Sequence, residues 1–566
     1  MLLIFLSWIY ILFTTINLGF GLDKILDLKN KNFVITAILG LFSATVFASC
    51  WAIFGRINIE FHVFLLLLNL ILFFKFKKEI SEIYKSFTFE IQQLELPLKV
   101  YLGLIPILII AHCASSPYVN DNESYYIQTI KWLNEYGFVK GIINIHFFLG
   151  QTSGWHITQS VFNFSFLYKN FNDLSGFCLL LGNIFAIQKL DNYFNNKDIN
   201  YLIIGLFPMT NVFLFQFISA PSTDIPIYVL SLIIIFYFIE NFKKITIEVF
   251  LLIVILSFFA LYIKNTSVAI ILISIILFTT NYKTLIKRIG FPIAIAFLIF
   301  ILFITKNMII CGNPIFPSKI LSSFSTDYTV PKIIIDNFFI KVKYLGYFIT
   351  YKEYQTMSGF DLFLKWLAAP KLSGLFNKIS FILLLIVPFF ILKFQNKKTI
   401  WILYLVMIAQ LIFLFATSPQ YRYFMNFILF FTLFFLACFI KNKNTVHLMR
   451  ILSLISTVVL LFIPINLNTF SNSKYVIEQS TFSSKNIIFP TSNTRNITQF
   501  ETIQDGNFIY HSPLKNDFFW GSGDGDLPCV NKKQIEFNKK RFKVMPQMRT
   551  NDLKDGFYAK KITPND

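Results

Sequence analysis

Charge is scarce in this 566-residue chain. Asp, Glu, Lys and Arg together make up 14% of it, about half of the ~25% usual in soluble domains. A soluble chain this long would need a charged surface around each of its cores, so an ordinary cytosolic protein is excluded. With 55% hydrophobic residues, disorder is excluded as well. Cysteine is sparse too. Cys50, Cys113, Cys178, Cys311, Cys438 and Cys529 show no C-x-x-C or other metal spacing. Cys311 and Cys529 fall on the same side of the topology derived below and read as two free thiols in preference to a disulfide. The N-terminus lacks a basic leader and a small-residue cleavage site, so residues 1–21 read as a membrane span and not as a removable signal. No internal repeat is visible, and so no direct sign of a transporter's inverted halves.

What the chain has is apolar length. Phe alone contributes 71 residues, and the mean hydropathy is +0.62. Crossing the ~30 Å hydrocarbon layer takes about 20 helical residues. Fourteen stretches are candidates: 2–21, 33–53, 57–74, 100–116, 174–188, 201–218, 225–239, 247–263, 267–280, 289–305, 379–392, 400–417, 423–440 and 451–467. Several are short. The expectation is an all-α polytopic membrane protein with about 12–14 transmembrane helices.

The net charge of +20 is then a question of topology before it is one of nucleic acid. None of the 50 Lys and Arg residues falls inside a marked stretch. One alternating set of short loops holds 21 of them, among them Lys75, Lys77, Lys78, Lys243, Lys244, Lys283, Lys287 and Arg288. The short loops of the other set hold three: Arg56, Lys264 and Arg422. By the positive-inside rule the rich set is cytoplasmic. Both termini and the long segments 117–173, 306–378 and 468–566 are then expected outside, in a multi-pass protein of the inner membrane. A single helix over 247–280 would be about 50 Å long and would invert everything after it, so a break at Lys264-Asn265-Thr266-Ser267 is expected. The resulting blocks are 1–116 (N-terminal spans), 117–173 (outer loop), 174–305 (central spans), 306–378 (second outer loop), 379–467 (C-terminal spans) and 468–566. The last is expected to be a small α/β or irregular domain, with turns over Gly521-Ser522-Gly523-Asp524-Gly525-Asp526.

Four polar clusters share the outer face. Asp121-Asn122-Glu123-Ser124-Tyr125-Tyr126 opens the first loop, ahead of an apolar pattern over 127–137 that suits an amphipathic helix lying on the outer surface. Its acids sit where a helix dipole favours anions and read equally as caps. Ser222-Thr223-Asp224-Ile225-Pro226 holds one acid between two spans, again a candidate cap. Lys264, Lys306 and Arg422 are cations near the outer face, where lipid headgroups or a lipid-linked phosphate would satisfy them. Gly312-Asn313-Pro314 opens a rigid turn. His146 and His156 read as polar residues of an amphipathic loop. Together, acids able to take a proton from an acceptor hydroxyl and cations able to hold a phosphate leaving group suggest transfer chemistry on a phosphate-linked lipid.

These residues resemble the GT-C superfamily of polytopic membrane glycosyltransferases, which includes protein mannosyltransferases and oligosaccharyltransferases. Asp121-Asn122-Glu123-Ser124-Tyr125 looks like the acid motif of that superfamily's first outer loop, and Asp224 like its second acid. Lys264 at a broken helix, the Gly312 to Pro317 turn and Arg422-Tyr423 before a late span match further elements. In closer detail, Ile130-Lys131-Trp132 and Asn144-Ile145-His146 resemble a largely uncharacterised group of bacterial GT-C-like membrane proteins. The likeness runs from about residue 98 to 430. It implies transfer of a sugar from a polyprenyl-phosphate donor to a glycan, lipid or protein acceptor, in building cell-envelope glycans or glycoconjugates. Asp121 would be the base, with Glu123 and Asp224 orienting the acceptor or a divalent cation held at Asp121 and Glu123. Lys264, Lys306 and Arg422 would hold the phosphate. Tyr125, His146, Asn313 and Tyr423 would line the substrate loop. The alternatives are a polysaccharide polymerase or ligase, and a lipid-linked-oligosaccharide transporter. The partners implied are the bilayer, the donor and the acceptor, with no nucleic acid.

Overall fold

A computed structural model describes residues 1–169, 171–318, 325–394, 397–463, 482–492, 494, 498–514 and 517–563. The last four residues of the expected span 451–467 and the first part of the tail lie outside them. All fourteen apolar stretches are helical where described. Among the described residues, ten helices are long and apolar enough to cross a membrane, or up to twelve if each of two sharply bent pairs is one span. The bent pairs are Ile59–Lys75 with Lys77–Gln93 and Asn265–Thr280 with Tyr282–Arg288. Ile247–Ile263 and Met425–Phe439 are shorter apolar helices.

The bundle is assembled by the devices lipid-embedded helices use. Helices Leu2–Leu26 and Phe33–Trp51 form the most intimate pair. A Cβ on Gly19 would lie 1.9 Å from the Thr36 carbonyl oxygen, and one on Gly40 1.8 Å from that of Thr15. Only glycine allows backbones that close. Further in, Tyr101, Asn183 and Asn211 close a triangle. The Tyr101 hydroxyl donates to Asn183 Oδ1 (2.8 Å), Asn183 Nδ2 to Asn211 Oδ1 (3.1 Å) and Asn211 Nδ2 to the Tyr101 oxygen (3.2 Å). It ties three segments together with every polar atom served, as an apolar medium requires. Asp224–Asn241 and Phe33–Trp51 are the most enclosed of the spans, each 83% buried over its most apolar window.

The expected break after residue 263 is present. Ile247–Ile263 ends at Lys264, whose backbone is extended (φ −152°, ψ 114°), and a 3-10 turn runs over Asn265–Ile270. Ser267 Oγ is placed 3.0 Å from the Ala260 carbonyl and 2.7 Å from that of Lys264, serving groups the break leaves over.

Three expectations need correction. The stretch 289–305 continues as a helix to Cys311, ended by left-handed Gly312 (φ 68°). Lys306 therefore lies inside a candidate span and is buried, not at its mouth. The segment after the acid motif is helical over Ile127–Glu135, but it does not lie on the surface. Its Gln128, Thr129 and Asn134 are as buried as its Ile130 and Trp132. The tail covers Gln128 and Lys131, and Asn134 donates to the Ile57 and Ser160 carbonyls (2.6 and 2.9 Å), so the polar side chains of this segment face protein and not water. His146 and His156 are likewise buried, not set on an amphipathic surface. All six cysteines are free.

The described tail is built of two hairpins. Strands β1 (Phe500–Asp505) and β2 (Phe508–Pro513) pair antiparallel around the two-residue turn Gly506-Asn507, where Gly506 has φ 66°. Strands β3 (Val544–Met548) and β4 (Phe557–Lys561) pair likewise. Helix Lys532–Phe542 lies between the hairpins in sequence. The tail docks on the first loop by backbone contacts. Phe557 N–H donates to the Lys140 carbonyl (2.9 Å), and the N–H groups of Ser522 and Gly523 donate to the Glu123 carbonyl (3.0 and 2.8 Å). The Gly/Asp run is thus a turn, and its turn geometry serves docking. Gln128 Nε2 reaches the Gly523 and Gly525 carbonyls (both 3.0 Å), and the Lys131 ammonium pairs with Asp524 (2.6 Å).

Candidate functional site

Four charged residues from widely separated segments meet. The Arg422 guanidinium donates from Nη1 to Asp121 Oδ2 at 2.8 Å, across 301 residues of sequence. The Lys264 ammonium is ion-paired with Asp224 Oδ1. Two tyrosines join the pairs. The Tyr228 hydroxyl lies 2.9 Å from the Arg422 carbonyl and 3.4 Å from Asp224 Oδ1. The Tyr423 ring lies beneath both cations, 4.6 Å from Lys264 Nζ and 5.1 Å from the Arg422 guanidinium carbon. Each distance is within cation–π reach.

Local structure explains the positions. Asp121 precedes a π-turn over Asn122–Tyr126, and its side chain makes no cap hydrogen bond. Asp224 opens Asp224–Asn241 behind Thr223, which also makes none. Its second oxygen accepts instead from Ser222 Oγ (3.0 Å). Both carboxylates are ion-paired within the cluster; Asp121 makes no cap hydrogen bond, while Asp224 also lies in the first turn of its helix, where the dipole favours it. Arg422 sits in a short 3-10 turn, Tyr421–Tyr423. Nε donates to Gln420 Oε1 (3.2 Å) and Nη2 to the Tyr423 oxygen (3.3 Å), which fixes the plane of the guanidinium.

The two pairs differ in access. Asp121 and Arg422 side chains are each 26% exposed, whereas Asp224 is 1% and Lys264 14% exposed. The outer pair can meet a ligand from solvent; the inner pair is a fixed, shielded dipole behind it. Such an arrangement presents a carboxylate and a fixed guanidinium to solvent, with a second cation over the same tyrosine ring.

The other expected site residues occupy different places. Tyr125 is adjacent to the acids. Its ring stacks on Phe148 (5.1 Å between centroids), with His156 5.9 Å away. Glu123 is tied to the tail through its carbonyl, as above. Lys306 is displaced from the four-residue cluster. Its ammonium donates to the Thr152 carbonyl and lies 5.3 Å over Phe303 and 5.8 Å over Tyr262. His156 lies on the side of the cluster toward Lys306. Burial, aided by the Lys306 charge, pushes its imidazole down to about 3, and its ring lies 4.7 Å from that of Tyr126. Asn313 braces its own turn, with Oδ1 accepting from Ile315 N–H (3.2 Å) and Nδ2 donating to Ser318 (3.1 Å). Among the described residues, no three His, Cys, Asp or Glu side chains gather into a metal-binding group. A cation at Asp121 and Glu123 would also compete with Arg422 for Asp121.

Tyr228 escaped the sequence reading, although its place one helical turn after Asp224 was a usable signal. Trp520 also escaped it, and nothing local could have revealed it.

His146 is held by both ring nitrogens. Nδ1 accepts from Phe148 N–H (3.2 Å), so Nε2 carries the proton it shares with the Trp520 carbonyl (3.2 Å). Burial pushes this imidazole from 6.5 down to about 4. The folded chain thus excludes a proton that the unfolded chain accepts below pH 6.5. Its contribution is complete above that value and is lost as pH falls toward 4, by up to about 3 kcal/mol. Thermal unfolding of the detergent-purified chain should therefore fall to lower temperature on acidification. His146→Gln keeps a donor for Trp520 and should flatten the slope in part, since His156 adds one of the same sign. An unchanged slope would refute the assignment.

The comparison with protein families bears on the same residues. The model of a family described as a domain of unknown function, DUF8201, matches residues 1–429. The chain belongs to this family. The matched region contains Asp121, Asp224, Lys264 and Arg422, and it stops short of the tail. No curated protein and no solved structure matches the chain.

Proposed function

We propose that this chain is a membrane glycosyltransferase that moves a sugar from a polyprenyl-phosphate donor to an acceptor hydroxyl. The observation that carries the reading is the paired cluster Asp121–Arg422 and Asp224–Lys264. A buried ion pair is a weak source of stability in itself. One buried pair and one partly exposed pair, sharing Tyr228 and Tyr423 at the ends of spans, are better explained by chemistry. The order of motifs that resembles the GT-C superfamily supports the same reading.

In this mechanism the donor phosphate takes Arg422 as its partner, with Lys264 behind, which releases the Asp121 carboxylate. The acceptor O–H gives its proton to Asp121 as its oxygen bonds to the anomeric carbon. The bond from that carbon to the phosphate oxygen breaks, and polyprenyl phosphate leaves with the electron pair. Arg422 and Lys264 stabilise the charge that develops on it. The 21 basic residues on one set of short loops against three on the other support a site facing away from the cytoplasm, with both termini on that side.

The test is release of polyprenyl phosphate by the purified chain in liposomes loaded with labelled polyprenyl-phosphate sugars, with transfer of label to glycan acceptors. Transfer that depends on Arg422 supports the reading. Passage of intact donor across the bilayer without release would make the chain a carrier and sink it.

A further inference from the structure

A cleft between the second long loop and the tail has the make-up of a ligand site and lies outside the acid–base cluster. It holds about 50 Å³ of water-accessible space. One water needs ~10–15 Å³, so the cleft seats about three to five water-sized groups, enough for the acid-bearing edge of a sugar ring whose remainder stays outside it. Its floor and walls include Phe519, Trp520 and Phe537. The Lys341 ammonium lies over all three rings, at 5.3, 5.4 and 6.0 Å. Among the described residues Lys341 has no carboxylate within 4.0 Å and no hydrogen-bond partner. Burial pushes its ammonium below the usual lysine value, so the site would gain from a counter-anion.

Two further polar atoms are unserved there. Asn144 Oδ1 and Gln534 Nε2 are buried without a hydrogen-bond partner, and both residues line the cleft. Their side chains are 8% and 3% exposed. An unserved buried amide is costly and needs a reason. One acceptor, one donor, one cation and an aromatic floor together fit a ring that has an apolar C–H face, hydroxyls and an acid group. A purely apolar ligand would leave three polar groups unserved, and a bare anion would leave the aromatic floor unused.

We propose that this cleft is a binding subsite for an acid-bearing sugar. Lys341 pairs with the carboxylate, Asn144 and Gln534 hydrogen-bond to hydroxyls, and the aromatic rings take the C–H face. The cleft connects to the cluster through rings: Trp520 lies 4.7 Å from Phe148, which stacks on Tyr125 beside Asp121. Assigning the sugar to the acceptor glycan rests on the transferase reading; the affinity for an acidic sugar does not.

The test is saturation-transfer NMR on the detergent-purified full chain, without donor, using glucuronate, glucose and acetate as probes. Glucuronate should bind best. Lys341→Met should weaken it at least about tenfold, or ~1.4 kcal/mol, and leave glucose unchanged. Gln534→Leu should weaken both sugars, and Asp121→Asn should leave all binding intact. Equal binding of glucose and glucuronate, equal binding of acetate and glucuronate, or indifference to Lys341→Met would each overturn the proposal. Absence of sugar transfer by the wild-type chain, with glucuronate binding intact, would strike at the transferase reading alone.

Discussion

Asp121→Asn should lower polyprenyl phosphate release by about 10²–10⁴-fold, the range attributed to a positioned general base, while the chain still inserts and folds. The substitution is nearly isosteric. An amide oxygen still accepts from Arg422 Nη1, which now lies 2.8 Å from the carboxylate, so the turn Tyr421–Tyr423 keeps its anchor. What is lost is the ability to hold the acceptor's proton. The pair is also a quarter exposed on each side, where a salt link contributes only about 0–1 kcal/mol. Stability should therefore move little while turnover collapses. Donor binding should tighten slightly, because Arg422 no longer has to leave a carboxylate to meet a phosphate. Wild-type turnover in a well-inserted Asp121→Asn chain would remove Asp121 from the chemistry.

The helical architecture was readable because it depends on local quantities. A stretch such as 201–218 needs only apolar length to announce itself, and the break at Lys264 follows because a 34-residue helix cannot fit the bilayer. The ends of helices were less legible. Lys306 is charged, and hydropathy alone stops the span before it, yet the helix runs on to Gly312 because Thr152 and two aromatic rings receive the ammonium. Partners 154 residues apart leave no trace in a local window.

The same reasoning separates the site into its legible and hidden parts. Asp121, Asp224, Lys264 and Arg422 stood out because charge at a span end is costly and must be satisfied. The cations were expected to meet lipid headgroups or a lipid-linked phosphate; the structure pairs them with the two acids. Capping was the rival reading for both acids, since a helix start and an acid site look alike in sequence. What a local window could not show is that each acid is ion-paired across the fold, Asp121 with Arg422 and Asp224 with Lys264. The burial of Ile127–Glu135 was hidden for a different reason. An amphipathic pattern reports which face is polar, not whether water or a docked turn meets that face.

Asp224 and Lys264 should show the largest stability effects of any pair in the site. Asp224 is 1% exposed, so Lys264→Met leaves a carboxylate supported by Ser222, Tyr228 and the charge of Arg422 alone. Breaking a buried pair from one side costs about 3–5 kcal/mol. Asp224→Asn leaves the ammonium, which is 14% exposed and rests on the Tyr423 ring, so its cost should be the smaller. In the double variant no net charge remains buried, and most of the loss should be recovered. The coupling read from unfolding of the four chains in detergent should therefore be at least about 1.5 kcal/mol, within the range seen for contacting residues. Additive single effects would show that the two side chains do not form a pair in the folded protein. Turnover discriminates further. If the pair only held the helix break in place, the double variant would regain activity with stability. If Lys264 stands behind the leaving phosphate, a stable double variant stays nearly inactive, because methionine supplies volume but no charge. That divergence between restored folding and absent transfer is the signature a merely structural pair cannot produce.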